Sequence, residues 1–186
     1  KEFTDMPFLV RVEDINGAVQ PGRFLNAKDL GSKEDGADFQ TVLIDETTNE
    51  IVVPNGTMGD RHTHPEKWNL RLENRNTGAK IDPRLSVFDQ REDVTVVKLP
   101  YFGDEEHEGV IERAIPTITV QTVDGPVKVT TVYDLILANY GIDRGIGGEV
   151  ATAYTDDTPY TPTWQEKITG VKADIAIATA REFADN

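Results

Sequence analysis

The stretch Thr117-Ile118-Thr119-Val120-Gln121-Thr122-Val123-Asp124-Gly125-Pro126-Val127-Lys128-Val129-Thr130-Thr131-Val132-Tyr133-Asp134-Leu135-Ile136 decides the fold class. Its first part alternates with a period of two, the spacing that puts every second side chain on one face of an extended chain. Asp124-Gly125 supplies a turn pair that tolerates positive φ, and Val127-Lys128-Val129 returns, so the segment reads as a β-hairpin. After Thr130 the period changes. Val132, Leu135 and Ile136 share a helical face, Thr131 with Asp134 three residues on resembles a capping box, and Gly141 stands where a left-handed C-terminal cap is expected.

Upstream of this switch the chain reads as short strands broken by turn chemistry. Phe8-Leu9-Val10-Arg11-Val12-Glu13 precedes Asn16-Gly17, and a second apolar stretch runs through Phe24-Leu25, which predicts another hairpin. Thr41-Val42-Leu43-Ile44 and Ile51-Val52-Val53 flank the polar loop from Asp45 to Glu50. Asn69-Leu70-Arg71-Leu72 leads into the turn-rich Asn74-Arg75-Asn76-Thr77-Gly78, and two more hairpins are expected over these segments. Downstream, a helix is expected from Thr161 as N-cap, with Pro162 in its first turn, to a stop at Gly170. A third runs from about Ala173 to Ala184, with Asp174 near the positive end of its dipole and Arg181 near the negative end. The order predicts an α+β fold, hairpins over about residues 8–129 and a mostly helical part over about 130–186, the two forming one compact unit.

Composition narrows the function classes. A chain of 186 residues is long enough to bury a real core without staples. Its 33 acidic against 19 basic side chains give a net charge of -14, which repels phosphate backbones and anionic lipid. Nucleic acid and direct membrane contact are therefore not expected partners. No apolar run approaches the roughly 20 residues that cross a bilayer, so the piece itself is expected to be soluble. The absence of cysteine excludes disulfides and thiolate ligation of an iron–sulfur cluster by this segment. The start at Lys1 and the finish on Phe183-Ala184-Asp185-Asn186 are what an excised piece of a longer polypeptide would show.

Each candidate site has a blander competitor. His62 and His64 alternate on an extended segment and point the same way, with Asp60 and Glu66 as oxygen donors, but a third firm ligand is missing and His107 lies in another acidic turn. Asp104-Glu105-Glu106-His107-Glu108 meets neither the calcium-loop pattern nor the demand for one carboxyl in an apolar pocket, and reads as a solvated turn. Asn55-Gly56-Thr57 fits a glycosylation acceptor, yet an Asn-Gly turn explains the same residues. The glycine-rich Gly141-Ile142-Asp143-Arg144-Gly145-Ile146-Gly147-Gly148 follows a helix, whereas phosphate-cradling loops follow a strand and open a helix. Helix termination and a flexible crossing account for it. Trp68, Trp164, Tyr101 and Phe102 read as core or interface anchors.

One resemblance covers most of the chain. Thr4-Asp5-Met6-Pro7, Gly22-Arg23-Phe24, Pro54-Asn55-Gly56, Lys67-Trp68-Asn69-Leu70 and Pro100-Tyr101-Phe102-Gly103 resemble the catalytic alpha subunit of respiratory nitrate reductases. The likeness is densest from Thr130 to Asn186, through Asn139-Tyr140-Gly141, Tyr160-Thr161-Pro162-Thr163-Trp164 and Ile168-Thr169-Gly170-Val171. Trp164 to Phe183 is similar to the wider molybdopterin oxidoreductase superfamily. The resemblance implies an internal, non-catalytic segment of an enzyme that reduces nitrate to nitrite at a molybdenum bis-molybdopterin guanine dinucleotide centre. It implies a 4Fe-4S cluster elsewhere in that enzyme, and the remainder of the alpha subunit, a beta iron–sulfur subunit and a gamma membrane cytochrome b subunit as partners. The parent would be membrane-associated, on the cytoplasmic side in most bacteria and on the outer face in some archaea.

The family's cluster-binding motif and molybdenum-ligating Asp have no counterpart at any position here. No catalytic or metal residue is therefore assigned, Asp134, His62 and Arg144 included, and cofactor-binding residues stay open. Two other readings remain: a free-standing acidic ligand-binding module, and a small metallo-hydrolase built on His62, His64 and an acid.

Overall fold

The computed structural model describes residues 4–55, 71–101 and 109–185. Asn16 and Gly17 take φ of 58° and 81°, so the chain reverses between β1 (Leu9–Ile15) and β2 (Ala18–Phe24) as the Asn-Gly pair demands. A single 3-10 turn at Ala37–Phe39 interrupts the next loop. The expected pairing around Asp45–Glu50 forms, but β3 (Leu43–Ile44) and β4 (Ile51–Val52) are only two residues each. The expected hairpin at Asn74–Gly78 is realised differently. β6 (Arg71–Asn74) pairs back with β5 (Pro54–Asn55), and past the turn the return makes a single bridge between Glu73 and Lys80.

The longest strands follow. β7 (Asp93–Tyr101) and β8 (Gly109–Thr122) form an antiparallel ladder from Asp93–Thr117 to Tyr101–Gly109. Beyond Thr117 β8 changes neighbour and pairs with β9 (Gly125–Thr131), closing on Thr122 opposite Gly125. β9 in turn pairs with β1, Leu9 opposite Thr131, so the main antiparallel sheet runs β2-β1-β9-β8-β7. Its two edge strands, β2 and β7, come back into contact, and the sheet is curled.

Residues more than a hundred positions apart meet in the core. Leu9, Leu25, Val42, Ile44, Val87, Val120 and Val129 form one buried cluster. A second, Val97, Leu99, Ile111, Ile115 and Ala138, joins the β7–β8 ladder to the first helix. Asp29 ties the loop after β2 to the sheet. Its carboxylate takes two bonds from Arg23, at 2.5 and 2.7 Å, a third from the Asn26 amide and a fourth from Arg11. Burial pushes that carboxyl's pKa up, and the Arg23 and Asn26 bonds outweigh it, so it lies below the usual carboxylate value.

The helices are α1 (Val132–Asn139), α2 (Pro162–Thr169) and α3 (Ala173–Asp185), which makes the fold mixed α+β. α1 lies on β8 and β9. Thr161 caps α2 by accepting from the Trp164 amide, Pro162 opens it, and Gly170 ends it at φ 72°. α3 extends one residue further than expected, so Arg181 falls a turn short of the C-terminal end and lies 5.9 Å from the Tyr154 ring centroid. None of the described helices is long and apolar enough to cross a membrane.

Candidate functional site

A dense cluster of buried polar groups sits where α1 begins. Thr131 is extended, with φ -93° and ψ 158°, and its hydroxyl oxygen accepts from the Asp134 amide at 3.1 Å. In the usual capping box the acidic side chain would reach back to the N-cap amide. Here the Asp134 carboxylate reaches elsewhere. It accepts from the Thr131 hydroxyl at 2.8 Å, the Val87 amide at 3.0 Å, the Ser86 hydroxyl at 2.6 Å and Arg144 Nη1 at 2.5 Å. The carboxylate is fully buried, and four donors occupy both oxygens.

Ser86 and Arg144 complete the hub. Arg144 Nη2 donates to Ser86 Oγ at 3.0 Å, and that oxygen also accepts from the Phe88 amide. The guanidinium carbon of Arg144 lies 4.2 Å from the Phe88 ring centroid, as does that of Arg91, so two cations use one aromatic ring. Three segments distant in sequence are thereby clamped: residues 86–88, the first turn of α1, and the glycine-rich loop.

That loop ends α1 and crosses β8, as the glycine spacing predicts. Gly141 adopts φ 70°, and the Gly141 and Ile142 amides donate to the Ala138 and Leu137 carbonyls of the last turn. Gly148, at φ 85°, bridges Arg113, and a Cβ there would stand 2.6 Å from the Ala114 amide nitrogen. Arg113 lies beneath, 1% exposed, donating from Nη1 to the Glu149 carbonyl. Burial pulls its pKa below the ordinary arginine value, opposed by the Glu149 carboxylate and the nearby Tyr160 phenol.

Chemically this arrangement is a lock. A carboxylate with four donors has no lone pair left for a metal or a substrate proton, and Arg144 is committed to it. Among the described residues no group of three His, Cys, Asp or Glu side chains could hold a metal ion. His62, His64, Asp60 and Glu66, the acidic run Asp104–Glu108 with His107, and Gly56-Thr57 lie outside the described residues, as do Trp68 and Phe102. Trp164 is an anchor: its ring packs 5.2 Å from Tyr160, which meets Tyr140 edge-on at 5.7 Å and so links α1 to α2. Sequence reasoning missed Ser86, Phe88 and Arg113. The only signal for Arg113 was its place in Ile111-Glu112-Arg113-Ala114-Ile115, where it faces in with the two isoleucines.

A separate open groove of about 580 Å³ runs beside β8, lined by Leu30, Ile44, Ile51, Arg84, Glu92 and Val120 among others. The Thr119 amide on its wall is satisfied by the Glu92 carboxylate at 2.9 Å.

The outer side of the helices is unlike the hub. α3 has no buried residue; Phe183 is 86% and Ile175 55% exposed, and Ile168 and Val171 beside them are also open. No family model matches the chain. The nitrate reductase alpha chain of Bacillus subtilis (strain 168) is 43% identical over all 186 residues, which cover 15% of that protein. The respiratory nitrate reductase 1 alpha chain of Escherichia coli (strain K12) is 41% identical over 199 aligned positions, 16% of its length. The respiratory nitrate reductase alpha chain of a Bradyrhizobium species is 40% identical over 190 positions, 18% of its length. The chain thus spans less than a fifth of the curated relatives it matches.

Proposed function

We propose that this chain, which corresponds along its whole length to one segment of the nitrate reductase alpha chain, serves that enzyme as a non-catalytic scaffold. In the intact enzyme nitrate would be reduced to nitrite at a molybdenum bis-molybdopterin guanine dinucleotide centre, with quinol-derived electrons arriving through a 4Fe-4S cluster. The described residues of this chain offer no ligand set for the cluster or for the molybdenum. It has no cysteine to ligate a cluster, and the most buried carboxylate among the described residues, Asp134, is saturated by four donors. The work left to it is mechanical: to pack against the cofactor-bearing parts of the alpha subunit, to shape the approach to the active centre, and to face the beta subunit. The gamma membrane subunit belongs to the same parent complex, and this segment makes no direct membrane contact in this reading.

The observation that carries the proposal is α3. A helix of 13 residues without one buried side chain is marginal by itself in water, because helices in proteins draw their stability from packing an apolar face. Ile175 and Phe183 supply such a face, and among the described elements α2 is the main one packed on the helix. Exposed carboxylates at Asp174 and Asp185 flank it, which suits a basic rim on whatever covers it.

The test is made in the intact enzyme. His62→Ala with His64→Ala, and separately Asp134→Asn, are introduced into the alpha chain, and nitrate reduction is expressed per bound molybdenum. A scaffold predicts unchanged kcat and KM per molybdenum, with any loss appearing as less assembled enzyme. A fall in kcat at full molybdenum occupancy would show that this segment takes part in the reaction.

A further inference from the structure

The geometry of Arg113 points to an internal ligand. Its side chain is shut away from solvent, and among the described residues Nε and Nη2 have no hydrogen-bond partner. Arg84, the other buried arginine among the described residues, shows the ordinary solution, donating to Glu46 and Asn49 at 2.7 Å each. Arg113 has only the Glu149 carbonyl, and the Glu149 carboxylate stays 3.6 Å from Nη1 on a side chain that is 64% exposed. A buried guanidinium with two idle donors is costly, and such donors in folded proteins are met by an ordered water or an ion.

Space for one exists. A cavity of about 10 Å³ lies between α1, β8 and the glycine-rich loop, lined by Arg113, Arg144, Asp134, Ala138, Ile142 and Gly147 among others. That is near the roughly 10–15 Å³ a single water needs. Asp134 cannot turn to serve Arg113, since its four donors hold it. Two guanidiniums line the cavity and offer only donors, so it favours a ligand that accepts hydrogen bonds.

We propose that this cavity holds one atom-sized electron-pair donor, a halide or a water, accepting from Arg113 and completing the joint between β8 and the loop that ends α1. The role is independent of whether the segment is a scaffold.

A crystal structure of the 186-residue chain grown in sodium bromide tests it. An anomalous peak in the cavity within hydrogen-bond reach of Nε or Nη2, lost in Arg113→Met, identifies a halide; a melting temperature that rises with chloride but not with fluoride, in the wild type only, accompanies it. Ordinary solvent density at the same place without anomalous signal, and no chloride dependence, identifies a water. An empty cavity, or Arg113 nitrogens donating to protein carbonyls, would overturn the proposal. The wild-type crystal decides this even if the Arg113→Met chain fails to fold.

Discussion

Replacing Asp134 by alanine strands the Val87 amide, the Ser86 and Thr131 hydroxyls and the Arg144 guanidinium in one step. Removing one partner of a buried ion pair costs about 3–5 kcal/mol. Arg144 is partly exposed, with 16% of its side chain open, so water recovers some of its charge and the low end, about 3 kcal/mol, applies to the pair. The hydroxyls can turn to other acceptors, but the Val87 amide cannot, and an unmet buried donor adds about 1 kcal/mol. Thr131 still caps α1, so the helix itself survives. The sum of about 4 kcal/mol is a large share of the 5–15 kcal/mol typical of a domain. At about 2–4 °C per kcal/mol for this size, the melting temperature should fall by about 8–16 °C. Thermal melts of the wild type, Asp134→Ala, Arg144→Met and the double variant, followed by circular dichroism, form the assay. The double variant should lose clearly less than the sum of the singles, because they break the same contact. A shift under about 2 °C for Asp134→Ala, or strict additivity, would refute the clamp.

Other consequences are as direct. Asp29 has its pKa held below the usual value in the folded chain, so its contribution is present above an unfolded pKa of about 3.9 and is lost as pH falls through the lower folded value; stability measured from pH 6 to 2 should drop in that acid range, and less steeply in Asp29→Asn. Gly148→Ala meets both a positive φ and the Ala114 backbone, and denaturant titration should show a loss of at least about 1–3 kcal/mol, the backbone strain alone. Phe183→Asp should change the stability of the isolated chain by no more than about 0.5 kcal/mol, yet lower the amount of assembled enzyme when placed in the full alpha chain.

Which features could be read from the sequence follows from how local their physics is. Asn16-Gly17, the Thr131 and Thr161 caps and the Gly170 stop each depend on contacts within about four residues, and each appears as read, while the turn expected at Asp124-Gly125 forms one residue earlier, at Val123-Asp124, with Gly125 opening β9 at φ 115°. The β7–β8 ladder, the longest in the fold, was not anticipated. Its strands are joined across the acidic run at Asp104–Glu108, which reads as a solvated turn and hides the pairing of Asp93 with Thr117. The sheet order was equally opaque, since β1 finds β9 more than a hundred positions away. At the candidate site Thr131 and Asp134 were visible as a cap, but the partners that change their meaning are not local: Ser86 lies 48 positions from Asp134, and 58 from Arg144. Three-dimensional closure alone turns a helix cap into a clamp.

The resemblance carried what local patterns could not. Nothing in charge, turns or periodicity indicates a redox enzyme, and the polar cluster the fold assembles is spent on holding itself together. That combination suits the scaffold proposed for a segment whose relatives are more than five times longer than the chain.

Hydrogen exchange of the α3 amides, compared between the isolated chain and the intact alpha subunit, tests most directly whether this segment works by packing. The account predicts fast exchange over Ala173–Asp185 in isolation, where no side chain of the helix is buried, and strong protection in the intact subunit, with the Asp134 hub protected in both. Equal, weak protection of α3 in both would contradict it, since the exposed face of Ile175 and Phe183 would then have no partner to hold.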